Sequence, residues 1–312
     1  MTIEGEPILR AMERHEWAEV ADLVCVSMNH WDVLHGSPGR FAGGPEWTMG
    51  FCETYELMDP GHCLVAEHPE TGRLMACCFW RERETHLSLG IMNVHPNYMG
   101  QGIARRLLDR IVELQDAAGK PLRLVASAMN LDSFSLYTKA GFVPRRVYQD
   151  LLIEVPATGL AAAVPGAGRV RAGTVDDVEG MARLELDVSG ISRRQDYRFF
   201  LENAQGIWHT SVIEGAGGRL DAFLSSMSYH GMCMIGPGVA RTEADALPVI
   251  AAELNARAGE WVLLLVPVEC SELVRFGYSL GGRNCEMHMA EVRGEFPGFD
   301  GVTLPSFLPE SM

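Results

Sequence analysis

No apolar run in the sequence reaches the ~18 residues that a membrane-crossing helix needs, so no membrane partner is expected. The opening Met1-Thr2-Ile3-Glu4-Gly5-Glu6 lacks a basic region followed by an apolar core, so no secretory leader is expected either. A C-x-x-C pair is missing too. The eight cysteines, at 25, 52, 63, 77, 78, 233, 270 and 285, show no Cys/His spacing of the zinc type. Cys77-Cys78 falls in an apolar run, where cysteine acts as a small hydrophobe. A reducing, cytoplasmic setting with no bound metal is the expectation. Basic charge is scarce as well: 26 Lys+Arg against 41 Asp+Glu give a net charge of −15. That balance argues against nucleic acid as a partner and would attract a cationic amine. The deficit is uneven, since residues 97–150 hold eight Lys/Arg against five Asp/Glu.

What is present is a globular composition, 47% hydrophobic and 21% charged, over 312 residues, a length that suits two domains. Helical spacing of Trp17, Val20, Leu23, Val24 and Met28 predicts a helix over 16–31. A Gly/Pro-rich stretch, 35–50, reads as a loop on the substrate side. Short apolar runs at 63–67, 74–80 and 86–94, joined by turns, predict an antiparallel meander. At Pro96 the period changes. Ile103, Leu107, Leu108, Ile111 and Leu114 share one helical face, ended by Gly119 and Pro121. A strand at 122–126, a short helix ending at Gly141 and a strand over 142–155 follow.

The run 156–168, small residues bounded by Pro156 and Gly168, reads as a linker, and a similar order of elements recurs after it. The expected organisation is therefore domain 1–154, linker 155–168, domain 169–293 and an extended tail 294–312 packed in a surface groove. The expected fold class is α+β, a mixed α/β fold with a mostly antiparallel twisted sheet flanked by helices in each domain.

The chemistry concentrates in two motifs. In Gly100-Gln101-Gly102-Ile103-Ala104, the glycines let the backbone turn tightly and a ligand approach closely. The helix behind them starts with unpaired amides and a positive dipole end, an anion site made of backbone. The third glycine of a dinucleotide fingerprint and the Gly-Lys-Ser/Thr of a P-loop are both lacking. A pyrophosphate held without metal is the better reading. The second motif is Asn130-x-x-Ser133-x-x-Leu136-Tyr137-x-Lys139-x-Gly141-Phe142.

With Val94-His95-Pro96 before them, the two motifs resemble the GNAT superfamily of acyl-CoA-dependent N-acyltransferases over residues 7–154. The resemblance implies an acetyl-CoA (or other acyl-CoA) cosubstrate. It implies that backbone groups of Met92 and Val94 bind the pantetheine arm. Amides within Met99, Gly100, Gln101, Gly102, Ile103 and Ala104 would bind the pyrophosphate. Asn130, with Ser133 in its motif, would contact the pantetheine, and Tyr137 would sit next to the sulfur. A phenol with pKa about 10 stays protonated at neutral pH and can donate to a leaving thiolate, so Tyr137 is the candidate general acid. The chain departs from the pattern in two places. Asn97 stands where the family usually has Gln or Arg, and Ser88 and Gly90 stand where relatives with a base on the strand carry Glu or His. His86 and Glu84 are the candidate bases, with Glu82 and His95 also close in sequence. In the second half, Ile235-Gly236-Pro237-Gly238 occupies the place of the pyrophosphate loop, but Pro237 removes an amide donor. That half resembles the degenerate C-terminal halves of tandem GNAT proteins. The expected activity is acyl transfer to a small-molecule amine. A non-catalytic acyl-CoA-binding module and a protein lysine or N-terminal acetyltransferase are the alternatives.

Overall fold

The computed structural model describes residues 5–161 and 164–308. Residues 1–4 of the expected leader-free terminus, 162–163 of the expected linker and 309–312 of the tail lie outside the described residues. The chain forms two compact units, one of 5–82, 87–122 and 308, the other of 83–86 and 123–307.

In the first unit, β1 (Ile8–Ala11), β2 (Cys63–Glu67), β3 (Leu74–Glu82) and β4 (Leu87–Val94) pair antiparallel in that order. Two helices, α1 (Trp17–Leu34) and α2 (Pro45–Met58), lie between β1 and β2 in sequence, and α3 (Ile103–Ala118) follows β4. β3 is buried at consecutive positions, Leu74 to Phe79, so both its faces are covered, and α1 and α3 both pack on it. The expected loop over 35–50 is shorter than its composition suggested, because α2 begins inside it. Pro45 takes the first helical position, where its fixed φ and missing N–H cost nothing. Phe51, Cys52, Tyr55 and Met58 then make the buried face of α2. Thr48 ties α2 to α1, its hydroxyl donating to the Ala21 carbonyl at 2.6 Å.

The second unit contains β5 (Leu122–Ser127) from Arg123 on, α4 (Leu131–Lys139), β6 (Val143–Glu154), β7 (Val170–Ala172), α5 (Val178–Ser189), α6 (Arg194–Glu202), β8 (Trp208–Glu214), β9 (Leu220–Tyr229), β10 (Met232–Ala240), α7 (Glu243–Ala256), β11 (Trp261–Pro267), α8 (Ser271–Ser279), β12 (Arg283–Arg293) and β13 (Val302–Leu304). Its strand order is β5-β12-β6-β11-β10-β9-β8-β7, with β13 on β10. The long β6 precedes the expected linker, yet it lies between β12 and β11, which both follow it. The units therefore part near Leu122 rather than at 155–168. Backbone pairing on both edges of β6 outweighs a change of composition. Leu151 and Ile153 of β6 enter one core with Val249, Ile250 and Leu254 of α7 and Val262 and Leu264 of β11. Within the tail, Val302–Leu304 are buried as β13 against β10 rather than seated in a surface groove.

Both halves are mixed α/β with mostly antiparallel sheet and flanking helices. One exception is the parallel pairing of β10 and β11, Met234 with Leu263 and Ile235 with Leu264. Among the described residues no helix is long and apolar enough to cross a membrane. None of the eight cysteines, all among the described residues, is in a disulfide, and seven are buried. Burial pushes the Cys52, Cys63 and Cys77 thiols well above the ordinary range, as befits packing residues rather than nucleophiles.

Candidate active site

The strand that leads into the first motif, β4, is broken at one place in its pairing with β3. Met92 of β4 stands opposite Cys78 and Leu89 opposite Trp80, so Gly90 and Ile91 together face Phe79 alone. This is a β-bulge, which takes a residue out of the ladder and re-aims its peptide groups. Position 90 has to be glycine for a steric reason. A Cβ there would lie 2.7 Å from the Tyr55 hydroxyl and 3.0 Å from the Phe79 carbonyl oxygen. Tyr55 is 2% exposed and stacks on Phe79 with ring centroids 4.6 Å apart. The space that a Glu at 90 would enter is thus filled by a phenol from α2. The sequence reading missed Tyr55 because α2 was read in part as loop. Its signal was the apolar spacing of Phe51, Tyr55 and Met58. Ser88, two residues earlier, is buried and its hydroxyl has no hydrogen-bond partner among the described residues. A Gly90→Ala variant is expected to lose about 2 kcal/mol or more of stability through overpacking against Tyr55, read as a lower urea midpoint. A Tyr55→Leu background should recover part of that loss.

Beyond β4 the chain turns through His95, whose Nδ1 accepts the Asn97 N–H at 3.2 Å. Gly100 (φ +75°) and Gly102 (φ +77°) follow, both in the left-handed region that favours glycine. A Cβ added to either meets nothing within 4 Å, so open space lies over the loop. α3 starts directly behind at Ile103, with Ile103, Leu107, Leu108 and Ile111 nearly fully buried. The amides at its start have no helical carbonyl before them. Its first turn holds no acid and two exposed arginines, Arg105 and Arg106. Loop, dipole and side chains carry the same sign, and the donor set suits a diphosphate.

In the second unit, Asn130 caps α4, its side-chain oxygen accepting the Ser133 N–H at 3.1 Å. Tyr137, 6% exposed, is the buried residue of α4, with its ring 5.8 Å from that of Phe142. The structure thus places Met92, Val94 and the loop Met99–Ala104 in the first unit, and Asn130, Ser133 and Tyr137 on or next to α4 in the second.

The candidate bases fare differently. His86 is fully buried, its Nδ1 3.1 Å from the Thr85 hydroxyl. Glu84 accepts from the Ser192 hydroxyl at 3.1 Å and pairs with Arg194. Glu82 pairs with Lys120 at 2.7 Å. Glu82 and Glu84 are thus held in ion pairs, and His86 is closed off from solvent.

In the second half, the residues expected as a pyrophosphate loop are not a loop. Ile235-Gly236-Pro237-Gly238 lies inside β10, where the register against β9 shifts between Ile235 and Gly238. After the bulge, Gly238, Val239 and Ala240 pair with Leu304, Thr303 and Val302 of β13. A Cβ on Gly236 would sit 2.4 Å from the Pro305 carbonyl oxygen. The chain's own tail thus lies along this strand. The helix that follows, α7, opens with Glu243 and Asp245, and the Thr242 hydroxyl caps it. Two acids at a helix start repel an anion.

Residues 59–144 match the family model described as the acetyltransferase (GNAT) domain. The chain contains a GNAT domain. The likeness in fold is wider than that match. A structure from Pyrococcus horikoshii aligns with a TM-score of 0.73 at 15% identity, over 97% of this chain and 95% of that one. A GCN5-related N-acetyltransferase from Sphaerobacter thermophilus gives 0.64 at 18%, over 96% and 99%. A tandem GNAT protein from the clavulanic acid biosynthesis pathway gives 0.59 at 14%, over 94% and 99%. These likenesses establish the fold across both halves. No curated protein matches the chain by sequence.

Proposed function

We propose that the protein transfers an acetyl or other short acyl group from acyl-CoA to a small-molecule amine, by direct attack in a ternary complex. The observation that carries this reading is the open start of α3 behind two left-handed glycines, with Arg105 and Arg106 in its first turn. Backbone amides there take the pyrophosphate, and backbone groups of Met92 and Val94 take the pantetheine arm. A bulge N–H of β4 polarises the thioester carbonyl as an oxyanion donor. Tyr137 donates the proton to the departing thiolate. No carboxylate is assigned as base, because Tyr55 fills the strand position where one would stand. The amine therefore arrives neutral or loses its proton to water.

Two measurements test this together: thermal stabilisation by acetyl-CoA, and release of free thiol when a panel of amines is added. The second reading, a non-catalytic acyl-CoA-binding module, draws on the occupied position at Gly90. It predicts stabilisation without thiol release. A Tyr137→Phe variant should turn over about a hundredfold more slowly while its acetyl-CoA affinity changes less than about threefold. Unchanged turnover across the amine panel would remove Tyr137 from the role of acid.

A further inference from the structure

We propose that Asp150, Glu286 and His288 form a binding site for one divalent transition-metal cation, Zn²⁺ first. The three offer ligand atoms that all lie within 4.8 Å of one another. They come from two paired strands, β6 and β12, inside the second unit. The register explains how they meet. Asn284 stands opposite Leu151 and Glu286 opposite Asp150, so Cys285 is an extra residue in β12. Without it, Cys285 would face Asp150. The bulge instead puts Glu286 directly across from Asp150, and His288, two residues on, shares that face.

Two features point to a cation. The first is charge. Two carboxylates directly opposite each other destabilise a sheet, and Asp150 is 1% exposed. A dication with a neutral imidazole brings the cluster to zero net charge. The second is the imidazole itself. His288 is 7% exposed, and its Nδ1 lies 2.8 Å from Asp150 Oδ2. Nδ1 nevertheless makes no hydrogen bond among the described residues. The nitrogen is aimed into the cluster at close range but off the line of a hydrogen bond to its neighbour. A ring nitrogen and a carboxylate oxygen converging in this way have the disposition of ligands to a shared ion. One imidazole and two carboxylates suit Zn²⁺, with a fourth position for water or substrate. Glu286 is half-buried, which gives the cluster a way to solvent. Phe307, its ring 4.5 Å from that of His288, packs beside the imidazole. Cys285 is not counted as a ligand, since its thiol donates to the Asp150 carbonyl at 3.4 Å. The absence of Cys/His zinc spacing gave no hint of this group, because its members meet through strand pairing. Bound, the ion would clamp β6, which precedes the expected linker, to β12, which follows it.

The test uses the full chain, stripped with a chelator and titrated with ZnCl₂ alone by calorimetry at neutral pH. Co²⁺ absorption provides a second readout of imidazole and carboxylate ligation. The expected result is one saturable site per chain and a raised urea midpoint with Zn²⁺. Glu286→Gln and His288→Gln should each weaken binding by at least about tenfold, and His15→Gln, far out in solvent, should not. Should His288→Gln fail to fold, Glu286→Gln at its half-buried position carries the comparison. Absence of a saturable site in the wild type, or equal affinity in Glu286→Gln, would overturn the proposal and leave Asp150–His288 as an ion pair.

Discussion

A Gly102→Asp variant is expected to lose about a hundredfold or more in acetyl-CoA affinity while remaining folded. Gly102 caps α3 at φ +77°, and aspartate is among the few side chains that tolerate the left-handed region. Its Cβ would meet nothing within 4 Å. The stability cost should therefore stay near 1 kcal/mol. The cost to binding is larger because a carboxylate is placed at the mouth of the anion site. It competes for the amides at the start of α3 and repels the pyrophosphate. Loss of two charge-assisted hydrogen bonds amounts to about 3 kcal/mol, which is about a hundredfold in affinity. Gly102→Asn has nearly the same shape without the charge, and should keep affinity within about tenfold of wild type. Calorimetric titration of both variants separates geometry from charge. Equal losses in the two would mean that the loop's shape, not its electrostatics, holds the ligand.

The second large effect concerns stability and lies in β12. Glu291 is fully buried, and neither carboxylate oxygen has a hydrogen-bond partner among the described residues. Its cross-strand neighbour is Pro144, which has no N–H to offer. Burial raises its pKa to about 7 from the ordinary 4.5. A carboxyl whose pKa is raised in the folded state binds its proton more tightly there than in the unfolded chain. Its contribution to stability is therefore whole below the unfolded value of 4.5 and falls away as pH rises through about 7. The total loss across that window is about 3 kcal/mol. Glu291→Gln should be more stable than wild type at pH 8 by about that amount and show a flatter profile between pH 5 and 8. Urea midpoints across this range provide the measurement. A wild-type profile that rises with pH from 5 to 8, matched by the variant, would mean that Glu291 does not control it.

Local pattern carried far in this chain, and long-range pairing did not. The apolar runs of β2, β3 and β4 and the helical face of α3 were legible because burial imposes a period on each. The glycine loop was legible because left-handed φ at 100 and 102 requires glycine there. Three things were not. The helix α2 hid behind Pro45, which reads as a loop residue unless its place at the first helical position is known. The insertion of β6 between β12 and β11 leaves no local trace, since β-pairing partners far apart in sequence are chosen by the whole sheet. Ile235-Gly236-Pro237-Gly238 looked like a loop, yet it is strand: Gly236 admits the tail beside β10 and Gly238 admits Leu224 of β9. Of the candidate site, the glycine turn and the helix start behind it were readable. Tyr55 was not, because what places it at Gly90 is the packing of α2 against the sheet.

The central claim is that the first half holds one acyl-CoA and that the second half, with β13 along its equivalent strand and acids at the start of α7, holds none. Calorimetric titration of the full chain with acetyl-CoA tests it most directly. The account predicts a single site, one acetyl-CoA per chain, abolished by Gly102→Asp. Two sites per chain, or heat of binding undiminished in that variant, would contradict it.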